Sequence, residues 1–91
     1  MITTYIISYD LKSPGQSYEK VHKVIDGYHG WAKLGGSAYV VSTEETASQI
    51  RDKLMDVMDS NDQLFVGVVK APAAWFGMGD EVSDWLKNTL K

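Results

Sequence analysis

The sequence predicts a single α+β domain in which helices cover a four-stranded antiparallel sheet. Four short runs rich in β-branched and aromatic residues are typical of strands. Two segments between these runs repeat apolar residues every three or four positions, as amphipathic helices do. At 91 residues, with 44% hydrophobic and 23% charged residues, the chain has the size and composition of one globular domain.

The first predicted strand runs from Met1 to Asp10, and the other elements can be placed around it. Its apolar run stops at Asp10, and residues 11–15 then break the chain at a proline-glycine pair. A carboxylate is therefore placed at the end of a central strand.

The first helix is predicted from Tyr18 to Tyr28, with Ser17 as N-cap and Gly30 as the stop. His22 and His29 lie seven residues apart on this segment. Two histidines do not complete a metal site, so a solvated helical His22 is the favoured interpretation.

A hairpin is predicted next, with strands over residues 31–34 and 37–42. Gly35 and Gly36 between them would supply the positive φ angles of a tight turn. A β-bulge is an alternative, and a phosphate-binding loop is disfavoured because no Lys-Ser/Thr pair follows the glycines.

The second helix is predicted to begin at Ser42, with Glu45 completing a capping box. Its apolar face contains Ala47, Ile50, Leu54 and Val57. A turn that includes Asp59 and Asp62 follows, and a fourth strand is predicted over residues 63–69.

Residues 71–91 form a C-terminal tail beyond a core of residues 1–70. Asp80 is the predicted N-cap of a short helix in this tail. Trp75, Phe76 and Trp85 either latch the tail onto the sheet or form a site for a protein partner, and the latch is favoured because exposed apolar patches are unusual on small monomers.

The element order is the split β-α-β of ferredoxin-like folds. Right-handed crossovers give the strand order 4-1-3-2 with both long helices on one face. In that arrangement Asp10 lies near Gly36 and Ser37 and near Asp62.

Both faces of the predicted sheet are apolar, and two helices cover only one of them. The tail or a second copy of the chain must cover the other face. We expect an isologous homodimer, in which each tail could reach its partner.

The composition excludes several classes of function. The chain has no cysteine, and no apolar run approaches the ~20 residues of a membrane span. We expect a soluble cytoplasmic protein that does not enter the membrane. Its formal charge of -3, with Arg51 as the single arginine, counts against tight binding of nucleic acid by the monomer.

The sequence resembles the small CRISPR-associated adaptation nuclease family over about residues 1–70, and more closely its stand-alone SinR-like relatives, with VapD-type toxin ribonucleases as cousins. The resemblance rests on Tyr9-Asp10, on the segments 18–30 and 36–41, and on Asp59-Ser-Asn-Asp-Gln-Leu-Phe-Val66. It implies a ferredoxin-like homodimer in which Asp10 and its symmetry mate share a divalent metal, Mg²⁺ or Mn²⁺. It also implies either metal-dependent phosphodiester cleavage or a structural role on duplex DNA. The chain departs from the arginines of relatives that bind nucleic acid at residues 16–17 and 31–34.

Two functions therefore stay open. The first is a metal-dependent endonuclease or phosphodiesterase acting on RNA or DNA, with Asp10 as catalytic and metal-binding residue, helped by Ser8, Ser37 or Asp62. In the alternative role, Asp10 only caps the turn after the strand.

The second function is a non-catalytic dimeric binding module. Its basic groove would contain Lys12, Lys20, Lys23 and Lys33, and its tyrosines (Tyr5, Tyr9, Tyr39) would stack on bases or, as is favoured, pack on the sheet.

Overall fold

The computed structural model describes residues 1–12 and 18–90. The predicted α+β class is confirmed. The elements in chain order are β1 (Thr3–Asp10), α1 (Tyr18–Asp26), β2 (Gly30–Gly35), β3 (Ala38–Thr43), α2 (Ala47–Met55), β4 (Gln63–Val68) and α3 (Asp80–Thr89).

The four strands form one antiparallel sheet in the order β2-β3-β1-β4. Read from the other edge, this is the predicted order 4-1-3-2. β1 is central, and its Ile7 pairs with Tyr39 of β3 on one side and Val66 of β4 on the other. The two edges of the sheet are β2 and β4.

One face of the sheet and the two helices α1 and α2 enclose the main hydrophobic core. Alternate residues of the strands point to this face because side chains in a strand alternate between the two sides. The helices contribute apolar residues at helical spacing. The fully buried side chains are Ile7, Tyr39, Val41, Val21, Ile25, Ile50 and Leu54.

Helix α3 packs against β2 on the opposite face. A side chain at Gly30 would meet the Trp85 ring at 3.6 Å, so the ring lies directly over the backbone of β2. Ala32, Val40 and Leu86 are buried as a result. The tail thus covers the β2–β3 half of this second face within its own chain.

The second helix begins four residues later than predicted. Its N-cap is Thr46, whose hydroxyl accepts from the Gln49 N–H while the Gln49 side chain accepts from the Thr46 N–H. Ser42 instead belongs to β3, where its hydroxyl bonds that of Thr4 at 2.9 Å. The predicted capping box from Ser42 to Glu45 was wrong because strand pairing holds Ser42 in the sheet.

The glycine pair of the hairpin does not adopt positive φ, contrary to prediction. The pairing of β2 with β3 shifts register between Lys33 and Gly35, so the bulge alternative is the correct one. Gly79, which is the N-cap of α3, does have a positive φ angle, of 77°. Asp80, predicted as that cap, is the first helical residue, where its charge favours the helix dipole.

The predicted N-cap Ser17 and the turn at residues 14–15 lie outside the described residues. Among the helices of residues 1–12 and 18–90, none has the length and apolarity needed to cross a membrane.

Candidate functional site

Asp10 ends the central strand and is exposed to solvent. Its Oδ2 lies 2.6 Å from Nζ of Lys12, and its side chain is 59% exposed. Across the strand pair it lies opposite Gln63 of β4. In a single protomer the carboxylate is therefore accessible and ion-paired with a lysine two residues away.

The surroundings of Asp10 agree with the predicted neighbours. The N–H of Tyr9 donates to the carbonyl oxygen of Ser37 at 3.1 Å, so the end of β1 lies beside the start of β3. The Asp62 carboxylate accepts from the N–H groups of Lys12 and Asp59, both at 2.8 Å. Asp62 therefore acts as a turn former and ties residue 12 to the turn before β4.

One protomer supplies few ligands for a cation at this position. Within the described residues, no group of three or more His, Asp or Glu side chains is arranged to hold a metal ion. A carboxylate oxygen suits Mg²⁺ or Mn²⁺, which often take only one or two carboxylates besides water and substrate oxygens. The residues present therefore fit a divalent cation only where a second Asp10 is supplied.

Asp10 shares its face of the sheet with an apolar strip that α3 does not cover. We call this surface the β1–β4 face; its residues are Ile6, Ser8, Asp10, Phe65 and Gly67. Phe65 is 63% exposed, and its ring leans over Gly67, where an added Cβ would lie 2.8 Å from the ring. A large aromatic side chain thus stands unburied next to the strand that ends in Asp10.

A second feature lies on the helix-covered side of the same strand end. A cleft of about 450 Å³ opens between α1 and the β2–β3 hairpin. We call it the tyrosine cleft. Its principal lining residues are Tyr9, Tyr18, His22, Lys33, Ser37 and Tyr39.

Polar and ring contacts join four side chains along one side of the cleft. The Nε2 atom of His22 lies 3.2 Å from an oxygen of Asp26, and its Nδ1 lies 2.5 Å from the Tyr39 hydroxyl. The ring of Tyr9 stacks on that of Tyr39, with the centroids 6.3 Å apart and the planes at 12°. With Nε2–H donating to Asp26, Nδ1 is left to accept from Tyr39. Both ring nitrogens of His22 are thus occupied by protein groups, and neither is free to ligate a metal.

Burial disfavours ionisation of the two phenols, which are neutral at physiological pH even at the ordinary tyrosine pKa of about 10. Desolvation is the main cause that raises the pKa of Tyr9 to about 12, with further contributions from Tyr39 and Tyr18. Desolvation likewise raises the pKa of Tyr39, although the nearby Tyr9 side chain acts in the opposite direction. Both groups are therefore neutral at physiological pH and serve as hydrogen-bond donors, not as bases or nucleophiles.

The sequence interpretation of His22 as a solvated helical residue missed this cluster. One signal was present, because His22 and Asp26 have the i,i+4 spacing of neighbours on a helix surface. The rotation of α1 that turns His22 toward Tyr39 and the half-buried Trp31 is not encoded in that spacing. The prediction that Tyr5, Tyr9 and Tyr39 pack on the sheet is confirmed, since all three are buried.

The three aromatic residues of the tail have different environments. Trp85 lies against Gly30 of β2 and so belongs to the latch. Trp75 donates from Nε1 to the Ser83 hydroxyl at 3.0 Å, a contact within the tail itself. Phe76 is 97% exposed and takes no part in the latch.

In comparisons with known proteins, no family model, no curated protein and no solved structure matches the chain. The fold of the described residues defines the class of protein, which is a small α+β protein with one four-stranded antiparallel sheet.

Proposed function

We propose that the chain is a ferredoxin-like homodimer of the CRISPR-associated adaptation nuclease type, which cleaves RNA or DNA with a divalent metal held by Asp10 of both copies. The observation that carries the proposal is the position of Asp10 and Phe65 on the same uncovered half of the sheet. The strand order 4-1-3-2 and the central place of β1 agree with this fold.

Dimerisation through the β1–β4 face accounts for the exposure of Phe65. A contiguous apolar patch on the surface of a small protein marks an interaction site, and Phe65 adjoins Gly67 and Ile6 on this face. In an isologous interface the same surface of each copy meets its counterpart, so residues close to the two-fold axis meet their own symmetry mates. Asp10 lies on this face at the end of the same strand pair, where a dimer would bring the two carboxylates together.

The ion pair with Lys12 opposes metal binding only weakly. Both side chains are about half exposed, and exposed ion pairs contribute only about 0 to 1 kcal/mol. Two carboxylates approaching each other repel unless a cation or a shared proton offsets the repulsion, and a divalent cation can do so without protonation of either group. Mg²⁺ or Mn²⁺ would lower the pKa of a bound water and polarise a phosphoryl oxygen.

Weak binding of nucleic acid is expected because the cations are dispersed. Lys20 and Lys23 lie exposed on α1, and Lys33 lies on β2 with Tyr39 opposite it, all on the helix side of the sheet. Lys12 alone lies beside Asp10. With a net charge of -3, the chain should bind phosphates in a strongly salt-dependent manner.

The test is cleavage of single- and double-stranded RNA and DNA with Mg²⁺ or Mn²⁺, using wild type, Asp10→Asn and Asp52→Asn. Asp52 is a matched control because it is also exposed and paired with a neighbouring cation, Arg51. We expect metal-dependent cleavage that falls at least ~100-fold in Asp10→Asn and is unchanged in Asp52→Asn. Cleavage that persists in Asp10→Asn contradicts the proposal.

A second candidate is the non-catalytic dimeric module. The Lys12 pairing of Asp10 favours it, because a carboxylate neutralised within its own chain needs no metal. A dimer that cleaves none of the four substrates would support this function.

A further inference from the structure

We propose that the tyrosine cleft is a binding site for a nucleoside monophosphate unit, with the base stacked on Tyr18, the ribose at Glu19 and the phosphate on Lys33. The inference does not rest on the proposed nuclease function. Tyr9 and Asp10 are adjacent in β1 and therefore point to opposite faces of the sheet, so the cleft and the Asp10 carboxylate are separate sites.

The size of the cleft suits such a ligand. Pockets for small molecules typically enclose about 300 to 1,000 Å³ and combine apolar or aromatic walls with a few polar groups. The tyrosine cleft encloses about 450 Å³ and has three tyrosines, one lysine, one glutamate and a serine in its lining.

Tyr18 offers the aromatic surface for the base. Its ring centroid lies 6.0 Å from that of Tyr9 with the planes tilted by 46°, so Tyr9 supports one part of the ring. Tyr18 is nevertheless 47% exposed, whereas Tyr9 and Tyr39 are buried. A half-exposed ring at the mouth of a cleft is the kind of platform on which bases stack.

Lys33 supplies the charge for the phosphate. It pairs with Tyr39 across β2 and β3 and so stands on the cleft side of the sheet. It is exposed and forms no ion pair with any residue of the described ranges. The hydroxyl of Ser37 lies in the same lining and can donate to a phosphate oxygen.

Glu19 defines the third part of the ligand. A carboxylate repels phosphate but accepts hydrogen bonds from sugar hydroxyls, as acidic residues do in dinucleotide sites. A nucleoside monophosphate has a planar base, sugar hydroxyls and an anionic phosphate. These three groups match Tyr18, Glu19 and Lys33 of the cleft, in that order.

The contacts that run from Asp26 to Tyr9 hold this arrangement in place. Because the His22 ring lies between Asp26 and the Tyr39 hydroxyl, and the Tyr39 ring stacks on that of Tyr9, the floor of the cleft is fixed before a ligand arrives. Preformed sites lose less entropy on binding. These three groups are therefore positioning residues and are left unchanged in the test.

The test is a titration of ¹⁵N-labelled protein with AMP, adenosine and ribose 5-phosphate, followed by amide chemical shifts. We expect saturable AMP-dependent shifts around residues 18, 33 and 37. Lys33→Ala should weaken AMP about fivefold and leave adenosine unchanged. Tyr18→Ala should weaken AMP and adenosine about tenfold and leave ribose 5-phosphate unchanged.

The matched control is Lys87→Ala, which removes an exposed lysine from α3 and should change none of the three affinities. Tighter binding of a 5′-phosphorylated dinucleotide than of AMP would show that the site takes the 5′ end of a nucleic-acid chain. Equal binding of the two compounds would show that it takes free nucleotides. The proposal is overturned if AMP causes no saturable shifts in the millimolar range, or if Lys33→Ala binds AMP as wild type does. Asp10→Asn should bind AMP normally, so failure of the nuclease proposal leaves this result intact.

Discussion

Phe65 and Asp10 lie on the same face of neighbouring strands, two residues apart in the strand pairing. Phe65 is opposite Ser8, and Asp10 is opposite Gln63. Helix α3 covers the β2–β3 half of this face and leaves both residues exposed. The apolar contact available to a second copy and the candidate metal ligand therefore belong to one surface.

If the chain forms the proposed homodimer, replacing Phe65 by lysine should dissociate it. The substitution puts a charge where the second copy is expected to bury a ring, and we expect the dimer Kd to rise at least ~10-fold. Light scattering over a range of concentrations measures it. Val68→Lys is the control, because Val68 is on the same strand and 61% exposed but points to the opposite face. Dissociation by both variants would place the interface at the β4 edge instead of the β1–β4 face.

Tyr39→Phe should lower the free energy of unfolding by about 1 kcal/mol. The change removes the hydroxyl that bonds His22, and it leaves Nδ1 of His22 without its partner. Urea unfolding followed by circular dichroism gives the value. Tyr18→Phe is the comparison, since Tyr18 is half exposed and should change stability by less than about 0.5 kcal/mol. Equal stability of Tyr39→Phe and wild type would show that the bond contributes nothing.

Glu45 should stabilise the fold at neutral pH and lose that effect in acid. Burial acts to raise the pKa of Glu45, but hydrogen bonds from Lys53 and Tyr28 and the charge of Lys53 outweigh it and hold the pKa below its ordinary value. A carboxyl with a lowered folded pKa contributes stability above its unfolded pKa, and this contribution is lost as pH falls through the folded pKa.

The check is the unfolding free energy of wild type and Glu45→Gln as a function of pH. The difference between them should be largest near neutrality and should shrink below about pH 4.3, the ordinary range of glutamate. Glu44→Gln is the control because Glu44 is exposed and its ion pair within residues 1–12 and 18–90 is a long one, 3.8 Å from the N-terminal amine. A difference that stays constant from neutral pH to acid would contradict this role for Glu45.

Much of the fold was predictable from the sequence because its signals are periodic. Buried and more exposed side chains alternate along β1 because one face of the strand lies against the core. Ile50 and Leu54 have helical spacing because one face of α2 is buried. The rule of right-handed crossovers then leads to the strand order. Asp10 could be placed at a strand end for the same reason.

Details that depend on competition between local signals were not predictable. Two segments have the capping-box pattern, Ser42 to Glu45 and Thr46 to Gln49. Because Ser42 pairs with Thr4 in the sheet, the helix begins at the second segment. The tyrosine cleft requires the register of β1 against β3 and the rotation of α1 over them, which no single segment encodes.

The central claim, that two Asp10 residues meet across a homodimer, has a direct test by cysteine cross-linking. The chain contains no cysteine, so Asp10→Cys introduces a single thiol. Two carboxylates that share one cation can hold their Cα atoms beyond the ~7 Å limit of a disulfide, so a short bismaleimide cross-linker is used. With this cross-linker we expect Asp10→Cys to form a covalent dimer, and the exposed control Asp52→Cys to stay largely uncross-linked at the same concentration. Asp10→Cys that reacts with the cross-linker but remains a monomer would contradict the account.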